Sequence, residues 1–367
     1  MFKQYQLRDF KLRLVVFVYA ITILGILVIG SAKAEYQSQQ VLGMVLGTIA
    51  MLIFALMDYH FMLNFYWLIY LFNLGLLLAV EFVGTKVNGA QRWLDLKVMR
   101  FQPSELTKLL LILFFAKLFA KYQEHINTWR VIVMSGILLL VPLYLVKEQP
   151  DLSTTITIAF VFCVLIYIGG LSYKIIGTVL AILIPSAIIF INLIMQEGQE
   201  RLDSYQFTRI MAWLNPAEYA DDAYQQQNSI IAIGSGQLYG KGLYNNDISS
   251  VKNGNFIVEP QTDFIFAVTG EELGFIGCAA VIILLALIVM ECLWIGKNAR
   301  EQEGTIICCG FGGLIAFQSL VNICVATGLM PNTGIPLPFV SYGLTSLVML
   351  YMGIGIVLNV GLQPKQY

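Results

Sequence analysis

Residues 273–295 read LGFIGCAAVIILLALIVMECLWI, with Glu291 as their one charge. A helix needs roughly 20 predominantly apolar residues to cross the hydrocarbon core of a bilayer, and this stretch meets that need without interruption. Outward from it, apolar runs recur at 14–30, 41–57, 65–83, 106–120, 131–146, 152–170, 175–195, 305–330 and 339–362. Several are short and borrow flanking residues to reach full length. Composition agrees: the chain is 58% hydrophobic and 12% charged, whereas soluble domains are about 25% charged. The expected fold is an all-α polytopic membrane protein with about ten transmembrane helices, residues 1–367 forming a single integral membrane domain.

Charge placement orients the chain. Lys3, Arg8, Lys11 and Arg13 precede the first run and Lys33 follows it, so by the positive-inside rule the N-terminus is cytoplasmic. An even number of crossings returns the C-terminus to the same side. Residues 14–30 follow a signal-like charged start, but another apolar run comes next, and they read as a retained span. The segment 84–104 falls outside yet carries Lys86, Arg92, Lys97 and Arg100; basic residues that oppose the insertion bias suggest chemistry. One long polar segment, 196–262, is expected as an extracellular loop between spans seven and eight. Its apolar residues Phe207, Ile210, Met211, Trp213 and Leu214 have the spacing of an amphipathic piece lying on the membrane surface.

Some functions are set aside. Net charge is −1 and no basic stripe is present, which excludes a nucleic-acid partner. The six cysteines fall in apolar runs and read as packing residues. His60 and His125 are the only histidines, too few for a zinc or haem site, so no metal ligands are assigned and no cofactor is evident.

Four polar clusters mark the outer ends of spans. In the first, Arg92 precedes FQPSELTK (101–108), where Pro103 suits a first helical turn. Glu105 and Lys108 share a face, either as a structural ion pair or as the wall of a polar cavity that takes an anionic ligand. In the second, QPDLSTT (149–155), Asp151 is a helix cap or a charge partner for Lys108. In the third, Asp263, Glu271 and Glu272 close together at the end of the long loop exceed what capping needs; a carboxylate at the mouth of a bundle can act as a general base. In the fourth, Gln318 and Asn322 lie in an apolar run before GLMPNTGIPLPFVSYG (328–343). That broken backbone, with Ser341 near its end, is tolerated at membrane depth only where it is buried in protein or lines a cavity. These residues alone leave transporter and enzyme both open.

The stretches GAQRWL (89–94), FQPSELTK, QPDLSTT, AIGSGQLYGKGL (232–243), TDFIFAVTGEELG (262–274) and GLMPNTGIPLPFVSYG together resemble the SEDS family (shape, elongation, division and sporulation proteins). The short N-terminus and the absence of a long C-terminal tail resemble the RodA branch more than the FtsW branch. The chain departs from the family pattern at Lys97, Asn332, Leu344-Thr345 and the lead-in 258–261, none of which touches Asp263. The resemblance implies a ten-helix peptidoglycan glycosyltransferase of the bacterial cytoplasmic membrane. Its substrate would be lipid II, polymerised on the outer face during cell elongation, with a class B penicillin-binding protein as transpeptidase partner. It also implies that Asp263 is the essential aspartate, that Glu105, Lys108 and Asp151 belong to a central cavity, and that Arg92 belongs to an Arg-Trp pair. On this reading Asp263 takes the proton of the acceptor hydroxyl. Arg92 and Lys108 stabilise the departing pyrophosphate, a divalent cation being able to share that work, and Gln318 and Ser341 contact substrate. Displacement inverts the anomeric centre to give a β-linked glycan. The alternatives are a flippase for a lipid-linked precursor, which has no special need of Asp263, and a scaffold for the partner synthase.

Overall fold

The computed structural model describes residues 10–87, 90–95, 100–179, 181, 185, 204–245, 250, 254 and 256–363. The chain is nearly all helical. Helices α1 (Leu12–Ala32), α2 (Gln37–Leu56), the short α3 (Tyr59–Asn64) and α4 (Tyr66–Val83) lead into a small sheet of β1 (Thr85–Val87), β2 (Ala90–Asp95) and β3 (Arg100–Phe101). There follow α5 (Pro103–Lys121), α6 (Trp129–Glu148), α7 (Leu152–Ile168), α8 (Ser204–Leu214), α9 (Ala220–Ser235), α10 (Ile265–Lys297), α11 (Gln302–Ala326) and α12 (Leu344–Gly361).

Seven of the described helical segments are long and apolar enough to cross a bilayer: α1, residues 34–56, α4, α6, α10, α11 and α12. Helix α7 is apolar but shorter. Helix α5 carries Glu105, Lys108, Lys117 and Lys121 and so falls outside that criterion, yet most of its residues are buried, Glu105 and Lys108 among them. It packs against α4, α7, α11 and α12, which shield its charges from lipid. A helix largely enclosed by its neighbours needs no polar face, and α5 is such a helix. The expected run 175–195 lies mostly outside the described residues. At one end of the bundle Lys11 lies over the Trp294 ring and Gln363 Nε2 donates to Asp58 Oδ1. The two ends of the described chain thus lie at the same end of the bundle.

Two local departures from regular helix have physical causes. The described part of the segment 84–104 makes antiparallel strands, with Thr85 opposite Trp93 and Leu94 opposite Phe101. It is too short and too polar to span, and its backbone groups find partners in each other. Gln91 Nε2 donates to the Val80 and Glu81 carbonyls at 2.9 and 3.0 Å, capping the orphaned end of α4.

The second departure is in α10, whose regular turn is broken at Gly274 (φ 65°, ψ −162°). The break frees backbone groups on both sides, and residues 237–242 satisfy them. Lys241 and Gly242 N–H donate to the Glu271 and Glu272 carbonyls, each at 2.9 Å, and Phe275 N–H donates to the Gln237 carbonyl at 2.8 Å. Backbone meets backbone so closely that a Cβ on Gly240 (φ 78°) would collide with the Glu272 carbonyl. Gly240→Ala is therefore expected to cost about 2 kcal/mol or more, from the left-handed penalty and the collision together. Thermal unfolding in detergent measures it, and an unchanged midpoint would contradict this account of the broken helix.

Candidate active site

Two helix N-termini converge at the other end of the bundle. Asp151 caps α7: its Oδ1 accepts the Thr154 N–H at 3.1 Å and its Oδ2 accepts the Thr154 hydroxyl at 2.9 Å. The same Oδ2 accepts from Ser104 Oγ and Gln102 Nε2, each at 3.3 Å, at the start of α5. Asp151 is thus both a cap and the joint between α5 and α7, and it is buried. Lys108 does not reach across to it as a charge partner; its Nζ donates to Glu105 Oε1 at 2.7 Å, both side chains being less than a tenth exposed. Arg92 lies on β2, where its Nε donates to the Gln149 carbonyl at 3.0 Å and its Nη2 to the Pro150 carbonyl. That anchors the sheet to the α6–α7 turn and uses two of the five guanidinium donors.

Asp263 comes just before α10, at the end of the long polar segment. Its backbone carbonyl accepts from Asn322 Nδ2 of α11 at 2.8 Å, and the same amide donates to the Ile335 carbonyl at 2.8 Å. Asn322 thereby ties the aspartate to the irregular segment 331–343. Ser341 adds a second tie: its hydroxyl donates to the Thr262 carbonyl and accepts from the Leu337 N–H, both at 2.7 Å. Ser153 of α7 donates to the Thr333 carbonyl. Three parts of the chain, α11, the Thr262–Asp263 stretch and α7, thus fasten a segment that has no helix or sheet of its own, which is how broken backbone persists at that depth. Gln318 is buried on α11 four residues before Asn322, hence on the same face.

Gly334 (φ 72°) passes directly over the carboxylate. A Cβ there would stand 3.3 Å from Asp263 Oδ2 and 3.9 Å from Arg209 Nη1. Arg209 belongs to α8 and donates to the Asn332 carbonyl at 3.2 Å, while Trp213, one turn on, donates to the Gly328 carbonyl at 2.9 Å. The amphipathic piece of the long segment therefore docks on the broken segment through Arg209 and Trp213. Arg209 was not singled out from the sequence. The available signal was its spacing of four from Trp213, which places a cation and an aromatic donor on one helix face.

These groups set the proton affinity of Asp263. Burial pushes its carboxyl above the ordinary carboxylate range; Arg209 opposes the rise, Glu259 adds to it, Arg92 opposes it and Asp151 adds to it. The side chain keeps part of its surface accessible, although it sits deep among protein atoms. Desolvation disfavours the charged form and adjacent cations restore it, so the carboxylate is more basic than in water while still ionisable. Glu271 and Glu272 are engaged differently: Glu271 Oε1 pairs with Lys241 Nζ at 2.8 Å, and Glu272 Oε1 accepts from the Ser31 hydroxyl at 2.7 Å. Both brace the break in α10. Of the three carboxylates in that stretch, Asp263 is the one set among Arg209, Arg92 and Asp151.

Comparison with known proteins adds to this geometry. The profile of the family described as cell cycle protein, that of FtsW, RodA and SpoVE, matches residues 7–366. The peptidoglycan glycosyltransferase MrdB of Escherichia coli K12 is 35% identical over 298 residues, covering 81% of this chain and 78% of MrdB. The stage V sporulation protein E of Bacillus subtilis is 32% identical and covers 95% of this chain and 96% of its own. Among solved structures, a chain of a peptidoglycan synthase complex, described as coordinating polymerization and crosslinking, superposes with a TM-score of 0.78. It is 28% identical and covers 96% of this chain and 97% of its own. The rod shape determining protein RodA of Thermus thermophilus gives a TM-score of 0.70 at 27% identity, with 98% of each chain covered.

Proposed function

This chain belongs to the FtsW, RodA and SpoVE family, it is a peptidoglycan glycosyltransferase of the membrane, and we propose that it polymerises lipid II with Asp263 as general base. The observation that carries the assignment is a partly accessible carboxylate of raised proton affinity, with Gly334 leaving space beside its Oδ2 and Arg209 next to that space. A sugar hydroxyl is a poor nucleophile at neutral pH, and a base that removes its proton contributes about 10²–10⁴-fold. The acceptor oxygen forms its bond to the donor's anomeric carbon as the bond to the polyprenyl pyrophosphate breaks. The proton goes to Asp263, and the pyrophosphate leaves as an anion that needs no acid.

Charge on that leaving group needs preorganised cations. Arg209 and Arg92 supply them in this proposal. Lys108, held by Glu105, neutralises the deeper wall, with Asp151 joining α5 to α7 beside it. Gln318 and Ser341 contribute through the wall and through the Asp263 loop. Both termini face the cytoplasm, and the segment 196–262 is extracellular together with Asp263. A class B penicillin-binding protein is the partner that crosslinks the product, by analogy with the synthase complex that this chain resembles.

The test is purified protein with its partner synthase and labelled lipid II, the polymer being read on a gel and its linkage determined. A β-linked glycan is expected, and retention of the donor's α configuration would overturn direct displacement. The pH profile tests the base separately. A base works ionised, so the rate falls as pH drops through the raised value of Asp263. Arg209→Gln removes a cation that holds that value down, so its acid limb moves to higher pH. A limb unmoved by the substitution would assign it to another group.

A further inference from the structure

The end of the bundle where the described termini meet holds a second cluster of ionisable groups, remote from Asp263. The two lie at opposite ends of α10, a helix of 33 residues. The cluster gathers the α2–α3 turn and the α10–α11 turn. His60 Nδ1 contacts Asp58 Oδ1 at 2.9 Å, and its Nε2 contacts Glu301 Oε2 at 3.0 Å. Glu303 joins them, one ligating atom from each of His60, Glu301 and Glu303 lying within 4.8 Å of the others.

We propose that His60, Glu301 and Glu303 bind a divalent transition metal such as Zn²⁺, clipping the α2–α3 turn to the α10–α11 turn. One imidazole and two carboxylates form a ligand set that borderline dications accept. Histidines are scarce in this chain, and in this proposal carboxylates from a distant turn complete the ligand set.

Three observations go beyond a mere acidic cluster. First, two buried oxygens have no hydrogen-bond partner among the described residues: Glu303 Oε2, and the hydroxyl of Tyr59. Tyr59 is wholly inaccessible, and its phenol lies within electrostatic reach of Glu301 and Glu303. Second, the histidine is preset. Asp58 holds Nδ1, which is the carboxylate–histidine arrangement that orients metal-binding imidazoles, and the Tyr59 ring lies against the imidazole with centroids 4.0 Å apart. Asp58 is fixed in turn by the His60 N–H at 3.0 Å and by Gln363 of the chain's end at 3.3 Å. Third, the charges do not balance. Lys117 Nζ meets Glu303 Oε1 at 2.7 Å. Among the described residues this is the one ammonium paired with the carboxylates of Asp58, Glu301 and Glu303, which outnumber it, and a dication would add positive charge there.

The experiment uses the full chain in detergent, stripped with a chelator, and Zn²⁺ titrated against a chromophoric chelator. Wild type is expected to bind one Zn²⁺ and to gain thermal stability from it, as any ligand of the native state confers. His60→Gln and Glu301→Gln should each weaken that affinity about tenfold or more, and Asp58→Asn about 10–100-fold as an orienting partner. Should His60→Gln fail to fold, Glu301→Gln decides, because its side chain is 45% exposed and tolerates an amide. Asp263→Asn should leave the affinity unchanged. Zinc binding that survives Glu301→Gln, or that is lost in Asp263→Asn, overturns the proposal, as does a wild type that binds no zinc at micromolar concentration.

Discussion

Asp263→Asn is expected to lower the rate of glycan polymerisation by about 10²–10⁴-fold, the contribution of a positioned general base. The fold should survive, because the link from Asp263 to α11 runs through its backbone carbonyl, which the substitution keeps. Stability has a definite sign as well. The folded protein holds this carboxyl above its ordinary range, so folding is favoured while the group is protonated. That advantage is lost as pH rises through the folded value. The neutral amide removes the burden, and at neutral pH Asp263→Asn should unfold at the same temperature as wild type or higher. A dead enzyme with an undiminished midpoint is the signature of a group that serves chemistry at the expense of stability. A rate within tenfold of wild type in the lipid II assay would move the base elsewhere.

Lys108→Met should damage the protein in the opposite way. Glu105 and Lys108 face each other at 2.7 Å inside the bundle, and removing one partner strands a buried charge at a cost of about 3–5 kcal/mol. The double variant Glu105→Gln with Lys108→Met removes both charges and should recover most of the loss, since buried pairs are often replaceable by neutral groups of similar size. Unfolding midpoints of the two single variants and the double in one detergent give the coupling. Additive losses would mean that each charge has another partner. Activity separates the roles further: if the pair also receives substrate, the double variant stays folded but polymerises slowly.

The sequence on its own determined the solvent. Runs of apolar residues long enough to cross a bilayer need no tertiary information, because in lipid each helix satisfies its own backbone hydrogen bonds. It also located the chemistry-bearing stretches. Asp151 as a cap, Glu105 with Lys108 three residues on, and the broken helix at 328–343 were all legible, since caps, i,i+3 pairs and proline act over a few residues. The family resemblance was legible for the same reason, being carried by contiguous motifs.

What tertiary structure alone decided is which distant groups share a space. Glu271, Glu272 and Asp263 look alike along the chain, but only folding sends the first two to Lys241 and Ser31 and leaves the third beside Arg209. Arg209 carries no local mark along the chain, and only the docking of α8 on the 328–334 segment brings it beside Asp263. The pairing of β1 with β2 and of β2 with β3 depends on partners that no local period announces. The cluster of His60 with Glu301 joins residues some 240 positions apart. Charges act through a few ångströms of space, not along the chain, so the partner of a buried charge is a property of the bundle and is settled only when the helices pack.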